Sequence, residues 1–335
     1  MLKLFAAFLL LTFAAVPAAA ETAVERHGQL RVDGNRIVDK NGDSVVLRGM
    51  SLFWSQWQPE FYNERAIRWL RDDWNLNVIR AAVAVHQGGY MKNPAAETRR
   101  AEAAIDAAIK LGIYVLVDWH AHHPEPKAAG AFFTHIARKY GRHPNIIYET
   151  FNEPLRDQDW STVIKPYHMA VIPKIRAEDP DGLVVAGTQT WSQDVDKAAA
   201  DPLPFGNVAY TLHFYAGTHQ QELRDKATVA LNKGVALFVT EYGSTDANGD
   251  GPVYEEETAR WFAFMEGNQL SYLNWSVSIK PESSAALLKG ASFKGGWPER
   301  VISKSGRLVR DQLRRMNPPQ SAPESAKADP CAGTC

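Results

Sequence analysis

Cysteine is almost missing from this chain. Cys331 and Cys335, in the C-terminal DPCAGTC, are the only two in 335 residues. That rules out a core held by disulfides, and two thiolates make a poor zinc site, because structural zinc uses four ligands. An exported protein would hold this pair as a local disulfide closing a tiny loop outside the core. Excess charge of one sign is missing too. There are 37 Lys and Arg against 38 Asp and Glu, a formal net charge of −1. Neither nucleic acid nor an anionic membrane surface is an expected partner. Long apolar runs are missing beyond the first twenty residues, and no later stretch reaches spanning length.

That first stretch, MLKLFAAFLLLTFAAVPAAA (1–20), carries Lys3, an apolar run and then small residues. It reads as a secretory signal peptide cleaved after Ala20, too short to span a membrane. The mature protein is therefore expected in the periplasm or outside the cell, with no membrane part once the leader is gone. Residues 21–316 are expected to form one domain. Residues 317–335 begin NPPQSAPESAKADP, rich in Pro, Ala and Ser, and read as a flexible tail.

What is present in quantity is aromatic surface. Ten Trp and eleven Tyr suit core packing, and also suit flat platforms for a ligand with apolar faces, such as a sugar ring. Eight strand-like runs are bounded by turn residues: 44–52, 77–85, 114–120, 146–154, 183–191, 207–215, 236–243 and 270–278. Helix-like segments lie between them. In 93–112, Pro94 marks a start and Gly112 a stop. Eight strands alternating with helices predict a single (β/α)8 TIM barrel. An open doubly wound sheet is the alternative, but no G-x-G-x-x-G follows an early strand. Ahead of the barrel, GQLRVDGNRIVDKNG (28–42) predicts a hairpin turning at Asp33-Gly34-Asn35 and capping the barrel bottom.

In such a barrel, function gathers where the strands end. This places Arg80, Trp119, His120, Asn152, Glu153, Trp191, His213, Tyr215, Glu241 and Trp275 around one mouth. The run LFVTEYG (237–243) poses the sharpest question, because it delivers a carboxylate to the end of an apolar strand. Two such carboxylates, Glu153 and Glu241, are the equipment of glycoside hydrolysis. Arg80 would favour the charged form of one of them, and that charge would raise the pKa of the other and keep it protonated. The bland alternative leaves both as ion-pair partners of Arg or Lys. In H-A-H-H (120–123), His120 and His122 have metal-ligand spacing, but they follow the third strand and no Asp follows the eighth. No catalytic metal or other cofactor is expected, and His122 and His123 are expected to line or rim the cleft.

Taken together, GMSLFWSQW, LRDDWNLNVIRAAV, GIYVLVDWH, NIIYETFNEP, IKPY, TWSQDV, YTLHFYAGTH, ALFVTEYG, NWS and K-x-E with SSAAL resemble glycoside hydrolase family 5, subfamily 2, the bacterial endo-β-1,4-glucanases. The likeness runs from about residue 27 to residue 316. It implies a retaining hydrolase acting on a β-1,4-glucan, with Glu153 as acid/base and Glu241 as nucleophile. It implies supporting roles for Arg80, His120, Asn152, His213 and Tyr215. Sugar units would bind at Trp57, Lys280 and Glu282 on one side, Trp275 under the cleaved ring and Trp191 on the leaving side. A monomer is expected. The same machinery could cut mannan, xyloglucan or xylan, and a non-catalytic carbohydrate-binding protein is the alternative from another class. The chain departs from the family's habit at Tyr242, where Trp is usual, at Gln220, where Gly is usual, and in the AHHPEPKAAG loop.

Overall fold

The structure, a computed structural model, describes residues 21–320. The leader, its cleavage point and the Cys331–Cys335 pair lie outside the described residues. Two short strands, β1 (Arg31–Asp33) and β2 (Arg36–Val38), form an antiparallel hairpin. Its turn passes through Gly34 at φ 58°, a left-handed conformation that glycine adopts without a Cβ clash. Eight parallel strands then close a barrel: β3 (Arg48–Leu52), β4 (Val78–Ala84), β5 (Tyr114–His120), β6 (Ile146–Glu149), β7 (Leu183–Ala186), β8 (Val208–Tyr215), β9 (Leu237–Gly243) and β10 (Ser271–Val277). β10 pairs with β3 and completes the ring.

Helices cover the outside. They are α1 (Ala23–His27), α2 (Glu64–Trp74), α3 (Pro94–Leu111), α4 (Pro126–Tyr140), α5 (Lys165–Arg176), α6 (Gln189–Ser192), α7 (Val195–Ala200), α8 (Gln221–Asn232), α9 (Glu255–Gly267) and α10 (Lys304–Met316). Their ends follow local chemistry. Asn63 caps α2 by accepting from the Ala66 amide, and Gly112 closes α3 at φ 67°. A wide turn over Trp160–Ile164 precedes α5, and the Asp159 side chain accepts from the Ser161 and Thr162 amides there.

Alternation along each strand sorts the side chains into two cores. On β5, Val115, Val117 and Trp119 face the helices, whereas Tyr114 and Leu116 point into the barrel. The inner cluster also holds Leu30 and Ile37 from the hairpin region, so the hairpin plugs the end where the strands begin. Ala23, Val24 and Val32 pack there too. Trp119, expected at the mouth, is instead fully buried against Phe132 and Phe133 outside the sheet.

Three expected strands are shorter than their apolar runs. β3 begins at Arg48, because Val45 is bonded to Ile37 and Leu47 to the Ser271 hydroxyl at the barrel floor. β6 stops at Glu149, and the amides of Asn152 and Glu153 bond instead to the carbonyls of Trp119 and Ala121. β7 stops at Ala186, and Trp191 sits in α6, a single turn whose residues Thr190, Trp191 and Ser192 are left-handed, with φ of 60°, 53° and 59°. Past α10, Asn317 and Gln320 bond back to the backbone of Asn75 and Leu76.

Candidate active site

Inward positions near the strand ends carry polar groups in place of the apolar ones below. On β5 these are Asp118 and His120; on β6, Glu149; on β8, Thr211, His213 and Tyr215. Arg80 of β4 stands at the centre and is fully buried. Nε donates to Glu149 Oε2 at 2.7 Å, Nη1 to Glu241 Oε2 at 2.9 Å and Ser51 Oγ at 3.4 Å, and Nη2 to Asn152 Oδ1 at 2.6 Å; Nη2 also forms an ion pair with Asp118 Oδ2 at 2.9 Å. One guanidinium therefore orients three carboxylates and an amide, a fork geometry that lysine cannot supply.

Glu241 reaches the mouth through an irregularity in β9. Against β8, Thr211 pairs with Phe238 while His213 pairs with Glu241. Against β10, Tyr272 pairs with Val239 while Asn274 pairs with Tyr242. Both ladders give β9 one residue more than its neighbours between Val239 and Glu241, a β-bulge. Strict alternation from inward Phe238 would send Glu241 outward. The bulge lets Thr240 and Glu241 both face inward and turns Tyr242 out against Phe214. Glu241 then accepts from the Tyr215 hydroxyl at 2.7 Å through its second oxygen.

Glu153 lies across from it, on the loop after β6. Oxygens of Glu153 and Glu241 and a nitrogen of His213 all fall within 4.8 Å of one another. That spacing could admit a metal ion, but the donors are already engaged. Both His213 nitrogens bond to protein groups, and Arg80 and Tyr215 hold the two oxygens of Glu241.

A model of the Cellulase family, glycosyl hydrolase family 5, matches residues 38–281. The chain belongs to glycosyl hydrolase family 5. It is 44% identical over 309 residues to endoglucanase N of Pectobacterium atrosepticum, covering 91% of this chain and 69% of that one. It is also 44% identical over 295 residues to an endoglucanase of Clostridium saccharobutylicum, covering 87% of this chain and 66% of that protein. The chain thus spans about two thirds of the length of these relatives. Among solved structures, the catalytic domain of Thermobifida fusca endoglucanase Cel5A in complex with cellotetraose superposes with a TM-score of 0.83 at 32% identity. That match covers 87% of this chain and 99% of the other.

Within this family 5 site, tautomers follow from the hydrogen bonds. The Thr240 hydroxyl donates to Glu149 Oε1 at 2.5 Å, and a carboxylate can only accept. Thr240 Oγ1 must then accept from His213 Nε2–H, 2.8 Å away. His213 Nδ1 is left facing Glu153 Oε1 at 2.9 Å. Burial opposes a charge on His213, but Glu149, 3.8 Å from its Nε2, and the hydrogen bond to Glu153 outweigh it and lift its pKa to about 9. Burial also opposes charge on Glu153. Hydrogen bonds from His122 and His213 outweigh that and bring it down to about 2. Burial, and next the charge of Glu153, raise Glu241. This order is the reverse of the expected one, in which Glu241 would keep Glu153 protonated. The two imidazoles on Glu153 are the cause, and no sequence pattern puts His122 in contact with it.

His120 donates Nδ1 to Asp118 Oδ2 at 2.6 Å. Burial, then Arg80, hold its pKa well below 6.5, so it is neutral and its Nε2 is an acceptor. The Trp275 ring lies parallel to it at 5.1 Å. Lining one side of the carboxylate pair are Phe53, Trp54, Trp57, Lys280 and Glu282. Lining the other are Arg156, Trp191 and His219. Trp57 and Trp191 are 49% and 37% exposed, and Arg156 lies over the Trp191 ring at 5.8 Å. Lys280 and Glu282 pair with each other. Trp119 and His123 apart, the residues expected at the site line the cleft or support a group that does; His123 is exposed, with its ring 5.8 Å from that of His86. Glu149 and Thr240 were missed; both sit on inward strand positions, and Glu149 lies four residues before Glu153. Two of the departures from family habit lie apart from the carboxylates, since Tyr242 is core and Gln220 precedes α8 without capping it through its side chain, whereas the AHHPEPKAAG loop brings His122 onto Glu153.

Proposed function

We propose that the chain cleaves internal β-1,4-glucosidic bonds with retained anomeric configuration, with Glu241 as nucleophile and Glu153 as acid/base. The observation that carries this is the approach of their oxygens to within 4.8 Å. Retaining glycosidases hold the two carboxyls about 5–5.5 Å apart, whereas inverting ones leave about 6.5–9.5 Å for a water. An aromatic cleft running past the pair on both sides suits attack within a chain.

Each residue then has a task set by its contacts. Glu241, oriented by Arg80 and Tyr215, attacks the anomeric carbon. Glu153 gives a proton to the leaving oxygen from its cleft-side Oε2, while His213 Nδ1 holds its other oxygen. After the glycosyl-enzyme forms, Glu153 takes a proton from the water that releases the sugar. Asn152 gives its carbonyl oxygen to Arg80, which leaves its amide N–H for the 2-hydroxyl. His120 Nε2 accepts from a sugar hydroxyl. Trp275 supports the cleaved ring, with Trp57, Lys280 and Glu282 beyond it and Trp191 under the departing units. One chain supplies every group, so a monomer suffices. Residues 1–20 direct export, residues 21–316 form the catalytic unit and residues 317–335 a tail. Among the described residues, no helix is long and apolar enough to cross a membrane.

Initial rates on soluble cellulose derivatives, mannan, xyloglucan and xylan, with proton NMR of the first product, test this reading. Fastest turnover of the β-1,4-glucan, giving the β-anomer first, is expected. Preference for another glycan would move the substrate assignment, and an α-anomer would refute the mechanism.

A further inference from the structure

Glu153 has two oxygens, and in the free site each meets an imidazole. His213 takes Oε1 from below and is almost fully buried. His122 takes Oε2, its Nε2 at 3.1 Å, and its side chain is 33% exposed in the cleft. The oxygen that can meet a glycosidic oxygen from the cleft is therefore the one that His122 holds.

This contact is built into the backbone. The Glu153 amide donates to the Ala121 carbonyl at 3.1 Å, tying the two loops together one residue before His122. The Gln158 side chain donates to the His122 carbonyl at 2.8 Å and accepts from the Leu155 amide at 3.1 Å. Pro124 and Pro126 stiffen the rest of the loop up to α4. The Trp54 ring sits 5.8 Å from the imidazole. The loops bearing His122 and Glu153 are thus fixed to each other on both sides of the contact.

We propose that His122 is a positioning residue for Glu153: it holds the proton-donating oxygen toward the cleft and sets the alkaline limit of the acid's action. The proposal rests on Glu153 being the acid. A cation at 3.1 Å favours the carboxylate, so the acid loses its proton at lower pH than it would alone. The other groups facing this pair are Glu241 on β9, His213 and Tyr215 on β8, His219 just after it, and His120 and Asp118 on β5. His213 serves the other oxygen and is almost fully buried. Glu241 raises His122, as Glu153 does, so the imidazole stays charged further into the working range.

The test is the pH dependence of kcat/KM for wild type, His122→Gln and His122→Ala. Two substrates are needed, a cello-oligosaccharide and a dinitrophenyl cellobioside whose leaving group departs without acid help. With the oligosaccharide, both variants should move the alkaline limb upward by on the order of one pH unit. Gln, which keeps an N–H donor, should retain more of kcat at the optimum than Ala. With the activated substrate, neither variant should move the limb. Lost rate with an unmoved limb, a downward shift, or the same shift on both substrates would overturn the proposal. If wild type shows the same alkaline limb on both substrates, the acid assignment of Glu153 fails instead.

Discussion

His213 and Glu153 share one hydrogen bond, Nδ1 to Oε1 at 2.9 Å, and the far nitrogen of His213 is tied to Thr240 at 2.8 Å. Thr240 is in turn bonded to Glu149, and Glu149 to Arg80. A chain of contacts therefore runs from the barrel's central guanidinium to the proposed acid, and each link fixes the donor and acceptor of the next.

Cutting that chain at Thr240 should show in turnover. Thr240→Val keeps the shape but removes the hydroxyl, so His213 loses what fixes its tautomer. We expect kcat/KM on cello-oligosaccharides to fall about 10-fold, which is about 1.4 kcal/mol. The loss should be smaller on an aryl cellobioside with a good leaving group, and Thr240→Ser should restore most of the activity. Equal losses on both substrates would mean that Thr240 serves packing alone.

Arg80 should matter to stability as much as to rate. Arg80→Lys leaves Asp118, Glu149 and Glu241 sharing a point charge in place of a five-donor fork. Breaking a buried ion pair typically costs about 3–5 kcal/mol. Urea unfolding should report a loss of that size, and a loss under about 1 kcal/mol would show that the network is not structural.

Tyr242 offers a gain. Its ring is fully buried among Phe214, Phe262 and Tyr272, and its hydroxyl has no partner among the described residues. An unsatisfied buried hydroxyl costs about 1–3 kcal/mol. Tyr242→Phe should raise the unfolding temperature and leave kcat unchanged, since the ring points away from Glu241. A lower unfolding temperature would mean that the hydroxyl is satisfied in solution.

Acid should weaken the fold through His168. This side chain is buried between Thr150 and the Gly187 carbonyl, and burial brings its pKa from 6.5 down to about 4. The unfolded chain therefore binds a proton at higher pH than the folded one. The contribution is intact above about pH 6.5 and is lost as pH falls toward 4, by about 3 kcal/mol in all. Unfolding free energies from pH 7 to 4 should show this slope, and His168→Gln should remove that part of it.

The barrel was legible because eight apolar runs and their intervening helices repeat a simple pattern, and all eight strands form. Their ends were less legible. The run 146–154 looks like one strand, but the amides of Asn152 and Glu153 turn to β5 and its loop, which lifts Glu153 to the mouth. Glu241 was identified from its place at a strand end and by resemblance. Alternation alone would have pointed it outward, and the bulge that corrects this has no marker such as glycine in VTEY. Trp119 was misplaced for the same reason in reverse, since parity sends it to the helices. The contact of His122 with Glu153 depends on two loops meeting, which no local pattern encodes.

The pairing of Glu241 with Glu153 is tested most directly by trapping. A 2-deoxy-2-fluoro-cellobioside with a dinitrophenyl leaving group slows release of any glycosyl-enzyme, and peptide mass spectrometry then locates the sugar. One fluoro-cellobiosyl group is expected, on the carboxyl of Glu241, with a Glu153→Ala variant still labelled. A label on another residue, or turnover with no adduct and an inverted product, would contradict that pairing.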